Sequence, residues 1–334
     1  MPLLPTSTTP NAENVYLIWG ANGWIAGILK GLLESKGKQV HATTARMENR
    51  DDVMKVLDEY KPTHVFNCAG CTGRPNVDWC EDNKEATVRS NAIGTLNLTD
   101  CCFMEGIHIT VFATGCIYTY DEAHPMGGAF KFKEDDSANF GGSFYSFTKS
   151  RVEDIMRAYD NCLILRLRMP VSDDLHPRSF VTKITKYAKV VDVPNSQTIL
   201  SDLLPCSIAL AEAREVGVYN FTNPGAISHN EILEMYKELV DPGFKWANFS
   251  LDEQAKVLKA GRSNCELDSG KLVRKMGEFG VTIPEVHQAY RDCFKRMREK
   301  MDNSQPIVEE ALTKIGKRSQ DDDLGAEKRI RVSS

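Results

Sequence analysis

Tyr145 and Lys149 stand four residues apart in the run Tyr145-Ser-Phe-Thr-Lys149. On a helix, positions i and i+4 share one face, which sets an ammonium beside a phenol. A cation there stabilises phenolate, lowers the phenol pKa and makes it a better acid or base near neutrality. Such a pair recurs in many helices, and Val152 and Met156 continue the same face as a packing stripe would. What gives it weight is the segment Gly20-Ala-Asn-Gly23-Trp-Ile-Ala26-Gly27 near the start of the chain. Glycines between a strand and a helix let backbone N–H groups approach a dinucleotide pyrophosphate, and the helix adds its positive end. The residues around Arg46 bear on which dinucleotide binds. A carboxylate at the end of a second strand would take the ribose 2′-hydroxyl, whereas Thr43-Thr44-Ala45-Arg46 offers no acid until Glu48. An arginine there can pair with a 2′-phosphate, so NADPH is expected, with NADH also accepted.

Those groups need a frame to hold them. Apolar runs at Val15–Trp19, Gln39–Thr44, His64–Asn67, Ile109–Ala113 and Cys162–Leu167 read as strands. Helical spacing covers Trp24–Leu33, Asp51–Tyr60, a long stretch Asn83–Glu105, and Tyr145–Tyr159. Strands alternating with helices predict an α/β fold, a Rossmann-type doubly wound parallel sheet. Beyond Pro170 the segments shorten and Pro/Gly punctuation thickens. Val218–Phe221 could extend the sheet, and Leu203–Ala213, Asn230–Leu239 and Glu285–Lys300 read as helices of a smaller C-terminal substrate lobe. The expected organisation is a disordered arm over 1–14, an NADP-binding domain over 15–170, a lobe over 171–301 with elements returning to the sheet, and a polar disordered tail over 302–334. In that tail Val308, Leu312 and Ile315 could form one short helix, and an acidic run separates the basic pairs Lys317-Arg318 and Lys328-Arg329.

Apolar residues are 42% and charged residues 26% of the 334, with a net charge of −5. The balance argues against nucleic acid as a partner. No apolar run reaches the ~18 residues of a membrane span, and the N-terminal segment lacks the basic and apolar regions of a secretory signal. A cytoplasmic protein with reduced thiols is expected. Cys68 and Cys71 form the one C-x-x-C, without a second Cys or His pair at similar spacing, so no metal site is expected.

Further motifs fall in the order of the extended short-chain dehydrogenase/reductase family, which the chain resembles. Asn67-Cys68-Ala69-Gly70 follows a strand, Asn91 lies in the next helix, and Thr114 precedes the Tyr145/Lys149 pair. Longer runs are similar to one branch, the bifunctional UDP-4-keto-6-deoxyglucose 3,5-epimerase/4-reductases, related to dTDP-4-dehydrorhamnose reductases. These runs are Gly23-Trp24-Ile25, Arg46-Met-Glu-Asn-Arg50, Cys71 to Glu81, Ala113-Thr-Gly-Cys-Ile-Tyr118, Arg168-Met169-Pro170, Pro194-Asn195-Ser196, Asn220 to Gly225, Ser228 to Glu231, and Arg262-Ser-Asn264. The likeness covers about residues 15–300, with Ala26 where the branch tends to carry Gly.

This resemblance implies cofactor contacts at Gly20, Asn22, Gly23, Trp24, Ile25, Arg46, Asn67, Cys68, Ala69, Tyr145, Lys149 and Met169. It implies substrate contacts at Arg74, Asn195 and Arg262. Sugar-nucleotide 4,6-dehydratases carry an Asp-Glu pair where this chain has Gly115-Cys116, so dehydration lacks its acid and base here. Inverting C3 and C5 beside a 4-ketone needs one group to remove a proton and another to return it. The branch likeness assigns Cys116 and Lys183 to that exchange, Thr114 and Tyr145 to the 4-oxygen, and Lys149 to the nicotinamide ribose. Sequence spacing does not bring Cys116 and Lys183 together, and a buried thiol and an exposed basic face are the plainer readings of the two. A simple 4-ketoreductase and a non-catalytic NADP-binding regulatory subunit are the rival functions. The resemblance also implies a homodimer and a supply of keto-sugar from an upstream 4,6-dehydratase.

Overall fold

The structure, a computed structural model, describes residues 14–74 and 76–303. The expected N-terminal arm and the tail with its short helix lie almost wholly outside the described residues. Strands β1 (Val15–Trp19), β2 (Gln39–Thr43), β3 (His64–Asn67), β4 (His108–Thr114), β5 (Cys162–Leu167) and β7 (Gly217–Asn220) form one sheet, all pairs parallel, in the order 2-1-3-4-5-7. A parallel sheet covered on both faces buries every side chain of its central strands, so these read as unbroken apolar runs. All six residues of β5 are buried, Arg166 included.

One face is covered by α2 (Arg50–Tyr60), α5 (Thr95–Met104) and α6 (Phe144–Met156), which contribute Leu57, Leu98 and Val152 to its core. The other is covered by α1 (Trp24–Ser35), α8 (Leu200–Glu212) and α11 (Gly270–Glu278), through Leu29, Leu204 and Met276. Thus β7, α8 and α11, from the second half of the chain, complete the layer begun by the first. A separate core forms from α7 (Phe180–Ile184), the short strand β6 (Lys189–Val190), α9 (His229–Leu239) and a helix over 286–303, with Val181, Val190, Ile232 and Tyr290 buried together. The strand β8 (Ala247–Asn248) pairs with β6, and α10 (Leu251–Val257) follows it.

The stretch read as one helix from Asn83 to Glu105 is not uniform. After α3 (Trp79–Asp82) it runs as α4 (Lys84–Val88), a π-helical turn Arg89–Gly94, then α5. Such turns insert an extra residue and are frequent at functional sites. Here the insertion aims Asn91 at the loop after β3: its Oδ1 accepts from Cys71 N and its Nδ2 donates to Cys71 O, both at 2.7 Å.

Neighbouring β1 and β3 lead to helices on opposite faces of the sheet. Ligands of doubly wound sheets lodge at that switch point, beyond the carboxyl ends of the strands. The loops after β1, β3, β4 and β5 therefore decide what the site can do.

Candidate active site

The loop leaving β1 is built for close approach. Gly20 has φ +86°, and a Cβ there would stand 2.9 Å from the Ala69 backbone, so the β1 and β3 loops touch only because the side chain is hydrogen. At Gly23, the N-cap of α1, a Cβ would stand 3.0 Å from Gly20 O. No side chain caps α1. Its first amides face a cavity of about 1280 Å³ lined by Gly20, Asn22, Gly23, Trp24 and Ile25. Uncapped amides at a helix N-terminus suit a pyrophosphate. The residues present thus fit a dinucleotide.

Arg46, Cys68, Ala69 and Met169 line the same cavity. Met169 holds φ +40° in the turn that carries the chain out of β5. Asn67 departs from the expectation. It is buried, absent from the cavity wall, and its Oδ1 accepts from Ala69 N at 3.0 Å. It shapes the turn beneath the cavity instead of lining it.

Helix α6 brings Tyr145 and Lys149 to the wall. Its start is fixed twice, by the Ser143 hydroxyl accepting from Ser146 N and by Glu81 Oε1 accepting from Phe144 N at 2.7 Å. One turn beyond Lys149, the buried Glu153 accepts from Arg166 Nη2 at 2.6 Å and from Arg157 Nη2 at 3.1 Å. Arg166 spends its other donors on Lys133 O, Glu134 O and Asn220 Oδ1. A buried ion pair is tolerable when its remaining valences are met, as they are here.

Burial pulls the Lys149 ammonium down to about 8, with Glu153 opposing. The Tyr145 phenol is pushed up, first by burial and then by the Cys116 thiol, while a hydrogen bond from Thr114 acts the other way. The spacing predicts a lowered phenol beside Lys149, whereas the shift here is upward with burial its largest cause. Desolvation dominates, and it holds Tyr145 as a protonated donor at neutral pH.

Thr114 ends β4, and its Oγ1 accepts from Cys116 N at 3.1 Å. Gly115 between them admits no side chain, since a Cβ would stand 2.6 Å from Leu267 and 2.9 Å from Arg168. That squeeze turns Cys116 into the cavity, half-buried. Lys183 reaches the same cavity from α7, whose first amide, Phe180 N, donates to Pro170 O at 2.9 Å. Burial, and then the charge of Arg178, hold Lys183 below the ordinary lysine range. Cys116 and Lys183, far apart in sequence, thus line the same cavity as Thr114, Tyr145 and Lys149.

Of the expected substrate contacts, Arg74 and Arg262 line the cavity. Arg262 is held by Asp78 Oδ1 at 2.8 Å and Ala260 O at 2.8 Å. Asn195 does not line it, and is corrected: it is fully buried, accepting from Arg168 and Cys265 N and donating to Asn264 Oδ1 and Val193 O. With both ends of its amide engaged, it braces the wall. Two residues escaped sequence reasoning. Arg178 lines the cavity and spans it, Nη1 donating to Thr72 Oγ1 at 3.1 Å. His176 stacks on Trp24 at 5.1 Å with parallel rings, joining the segment after β5 to the start of α1. The signal available was modest: a basic residue five positions before Lys183, in the loop that leads into α7.

Comparison with known proteins finds relatives of the chain. A plant protein, the bifunctional dTDP-4-dehydrorhamnose 3,5-epimerase/dTDP-4-dehydrorhamnose reductase of Arabidopsis thaliana, is 53% identical over 79% of this chain and 88% of its own length. A trifunctional UDP-glucose 4,6-dehydratase/UDP-4-keto-6-deoxy-D-glucose 3,5-epimerase/UDP-4-keto-L-rhamnose-reductase of the same plant is 50% identical over 84% of this chain, which spans 42% of that longer protein. The crystal structure of the L780 UDP-rhamnose synthase from Acanthamoeba polyphaga mimivirus superposes with a TM-score of 0.79 at 35% identity, over 84% of this chain and 98% of that one. The family model described as the RmlD substrate binding domain matches residues 14–240. The chain belongs to the RmlD family.

Proposed function

We propose that the protein converts a UDP-4-keto-6-deoxyhexose to UDP-L-rhamnose, inverting C3 and C5 and then reducing the 4-ketone, with NADPH as reductant and NADH also accepted. The observation that supports this reading is that Cys116 and Lys183 line the same cavity as Thr114, Tyr145 and Lys149. A reductase alone has no need of the first two. The named activities of the plant and mimivirus relatives support the same assignment.

A 4-ketone acidifies the protons on C3 and C5. One member of the Cys116/Lys183 pair removes a proton, leaving an enolate whose charge rests on the 4-oxygen. The other member returns a proton to the opposite face. Lys183, held below its ordinary range, has a larger neutral fraction available to accept one. Thr114 and Tyr145 donate hydrogen bonds to the 4-oxygen as charge develops. Bound NADPH supplies hydride to C4. Tyr145 then gives its phenolic proton to the 4-oxygen, and Lys149 orients the nicotinamide ribose and offsets the phenolate left behind. Arg74 and Arg262 hold the diphosphate, with Arg178 beside them. The keto-sugar comes from a 4,6-dehydratase reaction, an activity named within the trifunctional relatives. The protein acts as a homodimer through α5 and α6.

Proton NMR of UDP-4-keto-6-deoxyglucose incubated with protein and NADPH in D₂O tests this reading. The expected product is rhamnose carrying deuterium at C3 and C5. Retention of both protons in a reduced sugar would leave a simple ketoreductase. An unchanged keto-sugar beside bound NADPH would favour a regulatory role.

A further inference from the structure

Beyond β2 the chain enters a pinned turn. Trp19 Nε1 donates to Ala45 O at 2.8 Å, Asn97 Nδ2 donates to Met47 O at 2.6 Å, and Asn49 caps α2. Gly94, in the π-helical turn, presses against this segment so closely that a Cβ would stand 3.0 Å from Met47 Cβ and 3.4 Å from Glu48 N. The segment Thr44 to Glu48 lines the cavity at the end of the second strand, where the adenosine ribose of a dinucleotide lies in doubly wound sheets.

Two side chains of opposite charge meet there. Arg46, the expected partner of a 2′-phosphate, donates through both Nε (3.0 Å) and Nη2 (2.7 Å) to one oxygen of Glu48. Arg46 is 73% exposed and Glu48 only 11%, so the carboxylate is the buried member and the guanidinium the exposed one. The Glu48 carboxyl lies below its ordinary range, held there by its own backbone N–H, Arg46 and Arg89 against the opposing effect of burial. The carboxylate is favoured over the acid, and its backbone neighbours Ala45 and Met47 are held by Trp19 and Asn97.

We propose that Glu48 is a cofactor-specificity residue that ties Arg46 and so suppresses recognition of a 2′-phosphate. This inference rests on the dinucleotide reading given above. A 2′-phosphate must take Arg46 from Glu48 and settle beside a carboxylate, both of which oppose binding. A 2′-hydroxyl meets neither obstacle. The pair therefore narrows a preference for NADP⁺ that Arg46 alone would make wide.

The test is calorimetric titration of the full chain with NADP⁺ and NAD⁺, for the native protein, Arg46→Ala, Glu48→Gln and the double variant. In Glu48→Gln, NADP⁺ is expected to bind about tenfold more tightly while NAD⁺ moves less than about threefold. The gain is expected to vanish when Arg46 is also replaced, and Arg46→Ala alone is expected to weaken NADP⁺ less than about threefold. Unchanged NADP⁺ affinity in Glu48→Gln, an equal gain for both dinucleotides, or a gain that survives without Arg46 would overturn the proposal. So would a change confined to weaker NAD⁺ binding, which would make Glu48 a ribose ligand. If Glu48→Gln does not fold, Arg46→Ala decides alone: a loss of tenfold or more for NADP⁺ shows that Arg46 was already free to bind it. Failure of the native protein to bind either dinucleotide would overturn the cofactor reading itself, a distinct result.

Discussion

At the scale of the residue, the cavity separates two kinds of proton chemistry. Tyr145 is kept protonated by burial, and Lys183 is biased toward its neutral form by burial and by Arg178. The first suits a donor to an alkoxide, the second an acceptor from carbon. The two half-reactions should therefore come apart by mutation. Cys116→Ala or Lys183→Met is expected to slow deuterium entry at C3 and C5 by about 10²-fold or more, the usual reach of general acid–base catalysis. Tyr145→Phe should instead slow NADPH oxidation by a similar factor and leave exchange within about tenfold of native. NMR for exchange and absorbance at 340 nm for NADPH read the two independently. If Cys116→Ala left exchange intact, the thiol would be a packing residue and its assignment to the proton exchange would fall. Gly115 belongs to the same argument, because a side chain there would push against Leu267 and Arg168 and turn Cys116 away.

At the scale of the element, the sheet and its glycine loop were legible because parallel strands buried on both faces leave unbroken apolar runs. The first five strands fall within about two residues of where the runs place them. The π-helical turn was not legible. It depends on Asn91 reaching back to Cys71, a through-space contact that leaves no mark on helical periodicity. Asn195, a substrate contact by the branch resemblance, is instead fully buried as a brace, a burial that the motif Pro194-Asn195-Ser196 does not reveal. Asn91→Leu removes both partners from the Cys71 backbone and is expected to cost about 1–3 kcal/mol. It should also raise KM for the dinucleotide, because the β3 loop packs on Gly20. Thermal unfolding and cofactor titration check the two effects.

The strand register carries a pH dependence as well. Tyr16, His64 and His108 lie side by side across β1, β3 and β4, both histidines buried. Burial lowers His64 to about 4, aided by His108 and Arg214, and burial lowers His108 too, against its bond to Glu215 O. The unfolded chain binds a proton at an ordinary histidine pKa near ~6.5, whereas folded His64 refuses it until about 4. Stability is therefore full above ~6.5 and lost as pH falls toward 4, by at most about 3 kcal/mol for His64. His64→Phe should shrink the difference in Tm between pH 7.5 and pH 5. An unaltered difference would mean that other groups set the acid limit.

At the scale of the whole molecule, α6 presents two distinct faces. Inward, α6 buries Lys149, Val152, Glu153 and Met156 against the sheet and the Arg166 pair. Outward, it exposes Phe147 and Ile155, at 48% and 52%, two turns apart on one stripe. The adjoining α5 exposes Phe103 and Met104, at 43% and 66%. Large apolar side chains gathered on neighbouring helices are uncommon on a monomer surface and mark an interaction face. A two-fold axis through this face would set α5 and α6 against their copies, an isologous contact that covers the stripe. Such a contact would stiffen the helix that carries Tyr145 and Lys149, linking assembly to the site. Sedimentation velocity at micromolar concentration should therefore find a dimer. Phe147→Glu with Ile155→Glu should give a monomer of lower Tm and reduced NADPH oxidation, since each new carboxylate would have to be desolvated in the contact. A native protein that sediments as a monomer would break the link between this face and the site. The double variant would then be expected to keep its activity, because neither side chain reaches the cavity wall.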